Sequence, residues 1–276
     1  MTGGEAPVTV SCVPAAGSNF SVGTTPVTCT ARDAKQQTAA CSFSVSVTRV
    51  PRLAATRFVA FGDSITEGFA HTCQGTPTLS RADFLRDVYG FRPPDNSPIS
   101  YPNKLRTLLA ARYSTQTFTV INEGNGGEFI TAGAADLPRV LAQDAPEVLL
   151  LQEGTNDMDG IFFGDDPEVQ MTTVVTKLRE MIRYARSRGV LVFVGTLTPQ
   201  RVGACRGYAP AYIGPVNDRI RFMVSGEDAR LVDLYGAFGG VAGADLIGPD
   251  GLHPSEAGYQ KIADTFFDAV KQRLEN

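Results

Sequence analysis

The hydrophobic pattern of this chain changes character once, near residue 50. Before that point PVTVSC (7–12), TPVTCTARD (25–33) and CSFSVSVT (41–48) alternate apolar and polar residues, as half-buried strands do. SNFSVGTT and DAKQQT supply turns between them. Beyond RVPRLAAT (49–56) the apolar runs become nearly continuous: RFVAF (57–61), TFTVIN (117–122), EVLLLQ (147–152), VLVFVG (190–195) and ARLVDL (229–234). Runs of this kind suit parallel strands buried on both faces. Amphipathic segments separate them. Val174, Val175, Leu178, Met181, Ile182 and Ala185 form one helical stripe, which Gly189 stops. Tyr259, Ile262, Ala263, Phe266, Phe267, Val270 and Leu274 form another, with Pro254 expected in the first turn and Glu256 two residues on. This alternation predicts a doubly wound α/β domain whose ligands collect at the carboxyl ends of its strands. The chain divides into a β module (1–50), a linker (51–56) and a larger domain (57–276).

Composition narrows the partners. With 276 residues and 43% apolar content the chain can build a substantial core. A net charge of −4 and no long basic run argue against nucleic acid or an anionic membrane surface. The longest apolar runs are strand-sized, so no membrane span is expected. MTGGEAPVTV carries no signal-peptide pattern. Cysteines stand at 12, 29, 41, 73 and 205, three of them in the small first segment, where a disulfide would add most. That usage points to an oxidising compartment, hence a secreted protein whose leader is absent from this sequence. The first three cysteines allow three pairings and leave one over, and the spacing does not choose among them.

Four short blocks carry the candidate chemistry. FGDSITEG (61–68) puts Ser64 where a strand ends and a helix begins, with helix N-terminal amides favouring developing negative charge. NEGNGGEF (122–129) has three glycines in four positions, which lets an amide approach a ligand closely. EGTND (153–157) offers Asn156 as a side-chain donor. In IGPDGLHPSEAGY (247–259), Asp250 and His253 share a turn before a helix, so the carboxylate can orient the imidazole through one ring nitrogen and leave the other as a base. Each block alone has an ordinary structural explanation; together they fall on one edge of the predicted sheet.

GDSITEG at 62–68, the GG of the glycine turn at 126–127, GTND at 154–157 and DGLHP at 250–254 are similar, in order and rough spacing, to the blocks of the GDSL, or SGNH, hydrolases. The resemblance covers about 55–276. It implies a three-layer α/β/α sandwich with a parallel sheet, and a carboxylic ester hydrolase with Ser64 as nucleophile, His253 as base and Asp250 as its orienting acid. It further implies an oxyanion hole of the Ser64 amide, the Gly127 amide and the Asn156 side chain. Gly127 is taken over Gly126 because the family's functional glycine directly precedes the polar residue, here Glu128. The 18–47 stretch resembles the hyalin-repeat type of Ig-like module, for which a spacer role is favoured.

The expected reaction is acyl transfer to water on short- to medium-chain esters, with activity rising through about pH 6–7 as an imidazole base becomes neutral. The alternatives are O-acetyl groups on polysaccharide, or an inactive binding protein. No G-x-S-x-G is present, His71 has no histidine partner at a ligand spacing, and Asp165-Asp166 reads as a solvated turn. No metal or other cofactor is expected, and the protein is expected to be a monomer. The 70–99 segment and the TPQRVGACRGYAP loop should both emerge at the catalytic edge, and a Cys73–Cys205 disulfide tying them together is expected. Tyr89, Phe91, Tyr208 and Tyr212 are candidates for an acyl or sugar pocket.

Overall fold

The computed structural model describes residues 4–69, 97–201, 206–243 and 245–276. The chain separates into two compact units, Met1–Pro51 and Arg52–Asn276.

The first unit is an antiparallel sheet in which β1 (Thr9–Val13), β2 (Gly23–Arg32) and β3 (Thr38–Val47) follow one another as neighbours. Cys12 lies opposite Cys29 and is disulfide-bonded to it; Cys29 in turn lies opposite Cys41, which keeps an exposed free thiol. Three strands bury little. Val27 is the one buried apolar side chain described in them, while Val10, Val13 and Phe43 are exposed, so the half-burial expected from the alternation is largely missing. Asp33 helps tie the sheet's end, accepting from the Gln37 amide at 2.8 Å and the Glu5 amide at 3.2 Å. In so small a unit such local ties and the disulfide stand in for a core.

The second unit is built on five parallel strands: β4 (Arg57–Gly62), β5 (Thr119–Gly124), β6 (Val148–Gln152), β7 (Leu191–Gly195) and β8 (Arg230–Val232), in the order β5-β4-β6-β7-β8. Alternate residues of each strand enter opposite cores. Val59, Phe61, Leu149, Leu151, Val192 and Val194 pack with α3 (Ile130–Asp144), α5 (Pro167–Ser187) and α6 (Pro210–Ser225). Phe58, Ala60, Val148, Leu150 and Phe193 pack with α2 (Tyr101–Arg112) and α8 (Glu256–Leu274), where the Tyr101 and Phe266 rings stack with centroids 5.1 Å apart. Burial on both faces explains the unbroken apolar runs, each large side chain contributing about 1.5–3 kcal/mol. The short helices α1 (Ser64–Glu67), α4 (Thr155–Gly160) and α7 (Leu234–Ala237) follow β4, β6 and β8.

The stripe around Leu178 lies within α5, which ends as the pattern indicates: Gly189 takes φ +77° and the Val190 amide bonds back to the Ala185 carbonyl. The helix after His253 begins later than expected. Ser255 is its N-cap, its hydroxyl accepting from the Gly258 amide at 3.1 Å. Pro254 therefore stands outside the first turn, in an isolated bridge to Ile247.

Candidate functional site

Ser64 owes its position to the strand order. The chain lays down β4 first, adds β5 on one side of it and β6 on the other, so the direction of winding reverses at β4. The crevice of a doubly wound sheet opens at such a reversal. β4 and β6 come so close there that a Cβ on Gly62 would lie 1.9 Å from the Gln152 carbonyl oxygen. Asp63 then caps the short helix, accepting from the Ile65 amide at 3.0 Å, while its other oxygen accepts from the Thr155 amide at 3.3 Å. One buried carboxyl thus joins the serine turn to the turn after β6.

His253 arrives from the other end of the domain. Ser64 Oγ and His253 Nε2 are 2.8 Å apart, and His253 Nδ1 is 2.5 Å from Asp250 Oδ2. The second oxygen of Asp250 accepts from the Leu252 and His253 amides, both at 3.0 Å. Burial pushes the Asp250 carboxyl up, but its hydrogen bond to His253, the His253 charge and the two amides outweigh that and hold it below the ordinary carboxylate value. The turn is clamped from outside: the Arg201 amide donates to the Gly251 carbonyl at 2.7 Å, and the Arg206 amide to the Asp250 carbonyl at 2.8 Å. The Phe69 ring lies 4.9 Å from the imidazole, and Tyr259 donates to the Phe69 carbonyl at 2.5 Å.

The glycine block after β5 forms a β-turn closed by the Glu128 amide donating to the Asn125 carbonyl at 3.1 Å. Gly127 occupies its third position with φ +76°, the conformation that position of a type II turn requires and glycine supplies. The turn's own bond does not engage the central amide, that of Gly127. Gly126 faces the serine: a Cβ there would lie 3.9 Å from Ser64 Cβ and 2.6 Å from Glu67 Oε2. From the other side, Asn156 Nδ2 donates to the Glu128 carbonyl at 2.9 Å, which fixes the amide plane and leaves its second N–H. Ser64, Asn156, Asp250 and His253 are all buried.

Residues 60–261 match the model of the GDSL-like Lipase/Acylhydrolase family. The chain belongs to that family. As a GDSL-family chain it is a carboxylic ester hydrolase, and residues 2–47 match the HYR domain. It is 26% identical over 159 residues to the esterase TesA of Pseudomonas aeruginosa, covering 57% of this chain and 72% of that protein. Two solved structures share its fold. The lipase/acylhydrolase of Enterococcus faecalis superposes with a TM-score of 0.61 at 21% identity, covering 79% of this chain and 97% of the other. Axe2, an acetylxylan esterase from Geobacillus stearothermophilus, gives 0.57 at 18% identity, covering 78% and 94%.

In this GDSL-family chain some expected features lie outside the described residues: Cys73 and Cys205 of the expected disulfide, His71, and Tyr89 and Phe91 of the expected pocket. Tyr208 sits in an aromatic group, stacked on Phe162 with centroids 4.9 Å apart and edge-on to Phe163 at 5.4 Å. Tyr212 packs against the core instead. Among the described residues no group of histidines, cysteines and carboxylates could hold a metal ion, and no helix is long and apolar enough to cross a membrane. The sequence patterns missed the carboxyls behind the site: Asp63, Glu128, Glu153, Asp157 and Asp159, all buried. One signal was available, since Glu153 places a charge directly after the apolar run VLLLQ.

Proposed function

We propose that this chain is a secreted serine carboxylesterase that hydrolyses short- to medium-chain acyl esters, with Ser64 as nucleophile, His253 as general base and Asp250 as its orienting acid. The observation that carries the reading is the 2.8 Å approach of Ser64 Oγ to His253 Nε2 across 189 residues of sequence. With Asp250 accepting from Nδ1–H, the imidazole holds its lone pair on Nε2 and takes the serine proton as Oγ attacks the ester carbonyl. The tetrahedral oxyanion accepts from the Ser64 and Gly127 amides and the Asn156 side chain. His253 then protonates the leaving alcohol, and water repeats the sequence on the acyl-enzyme. The Cys12–Cys29 disulfide supports an oxidising, extracellular setting.

A second substrate class has support of its own. Phe162 is 52% exposed and stacked on Tyr208, and an exposed aromatic side chain suits packing against a sugar ring, which favours O-acetyl groups on polysaccharide. One panel separates the readings: p-nitrophenyl esters of rising chain length beside acetylated xylan, for wild type and Ser64→Ala. Activity on the synthetic esters that disappears in Ser64→Ala supports the esterase; preferential release of acetate from xylan supports the second substrate. Turnover undiminished in Ser64→Ala rejects the serine mechanism.

A further inference from the structure

The carboxyls behind the site are arranged in a way the triad does not require. Glu153 is fully buried at the end of β6, and neither of its oxygens has a hydrogen-bond donor among the described residues. Glu128, at the end of the glycine turn, turns its side chain toward the same place. A Cβ built on Gly133 of α3 would lie 3.1 Å from Glu128 Oε2 and 3.2 Å from Glu153 Oε2, so both carboxyls converge on the space that glycine leaves. Two carboxyls that face the same buried space are favoured when one keeps its proton, because both ionised would repel. Glu128 already has a donor, Asn125 Nδ2 at 2.9 Å from its Oε1, whereas Glu153 has none. Glu153 is therefore the partner that stays neutral.

The pair also sits where it can matter. The main chain of Glu128 carries the acceptor for Asn156 Nδ2, and Glu153 is three residues before Asn156 on the opposite wall. We propose that Glu128 and Glu153 share one proton, with Glu153 as donor and Glu128 as acceptor, and act as positioning residues that hold the Gly126–Gly127 turn against the Asn156 segment. This inference rests on the serine-esterase reading for its catalytic consequence, though not for the proton itself.

The surrounding charges agree. Burial raises Glu153 well above the ordinary range, helped by Asp63 of the serine turn, Glu128 of the glycine turn and Asp157 of α4. Burial also raises Glu128, opposed by Asn125 and Arg139 and helped by Asp136 and Asp63. Among the described residues no cation acts on Glu153. Raising the pH until the shared proton leaves sets two like charges against each other at Gly133, between the glycine turn and the Asn156 segment, so kcat falls on the alkaline side while KM changes little.

The test uses the whole chain. Infrared difference spectra at neutral pH between wild type and Glu153→Gln should show the C=O stretch of one neutral carboxylic acid lost. Kinetics on p-nitrophenyl acetate should show Glu153→Leu lowering kcat about tenfold, less than loss of an oxyanion donor. Glu153→Gln, which keeps a donor but cannot titrate, should restore most of kcat and remove the alkaline fall. Should the Glu153 variants fail to fold, Gly133→Ala pushes a methyl between the carboxyls and should shift the alkaline limb to lower pH. No lost carboxyl band, or an alkaline limb unchanged in both Glu153→Gln and Gly133→Ala, overturns the proposal. An inert Ser64→Ala enzyme beside such a result leaves the esterase reading intact; an active one fails that reading and leaves the infrared result to decide the shared proton.

Discussion

Replacing Asp250 by asparagine tests the site with no change in volume, and the structure dictates how the new amide must sit. Asp250 Oδ1 accepts from two backbone amides at 3.0 Å, and Oδ2 faces His253 Nδ1 at 2.5 Å. An asparagine can keep the first pair only with its oxygen there, since turning its NH₂ inward would set donors against two donors. The NH₂ must then face Nδ1, which has to become the acceptor. The ring proton moves to Nε2, the nitrogen 2.8 Å from Ser64 Oγ, and the base points a donor at the hydroxyl it should deprotonate. A wrong tautomer in an otherwise intact triad costs about 10⁴ in kcat, equivalent to about 5.5 kcal/mol at 1.36 kcal/mol per decade. Steady-state kinetics on a p-nitrophenyl ester should show that fall in kcat with KM little changed, and thermal melting should show a folded protein. A folded Asp250→Asn enzyme within tenfold of wild type would refute the assignment of Asp250 as the residue that sets the imidazole's tautomer.

Two other perturbations probe neighbouring parts. Asn156→Ala removes one proposed oxyanion donor and should lower kcat by about 10²–10³ without abolishing it; kcat within a few-fold of wild type would exclude Asn156 from the hole. Asp157, pushed up to about 7 chiefly by burial, binds its proton in the folded chain at pH values where the unfolded chain, at its ordinary 3.8, has released it. Stability should therefore fall as pH rises from about 4 to 7, by on the order of 4 kcal/mol from this group alone. Asp157→Asn keeps an acceptor for the Ile130 amide, now at 2.9 Å, and should flatten that slope in melts across the range; an unchanged slope would refute the buried-acid assignment.

How much of this was legible in the chain follows from what each pattern encodes. The five parallel strands were readable because burial on both faces leaves unbroken apolar runs, as in VLLLQ and LVFVG. α3 and α6 carry internal prolines, Pro138 and Pro215, which mark breaks in a one-dimensional reading; in the fold both are tolerated within packed helices. Pro254 misled for the opposite reason, since a proline before a helix suits its first turn but Ser255 supplied the cap that set the start. The spacing of the four blocks states their order and nothing about their neighbours. Adjacency comes from β4 lying between β5 and β6, which sets the glycine turn on one side of Ser64 and the Asn156 turn on the other. The same arrangement brings Glu128 and Glu153, which follow those two strands, to a single glycine, Gly133. Turns that come from both neighbours of one strand enclose the residues between them, and here they bury acids.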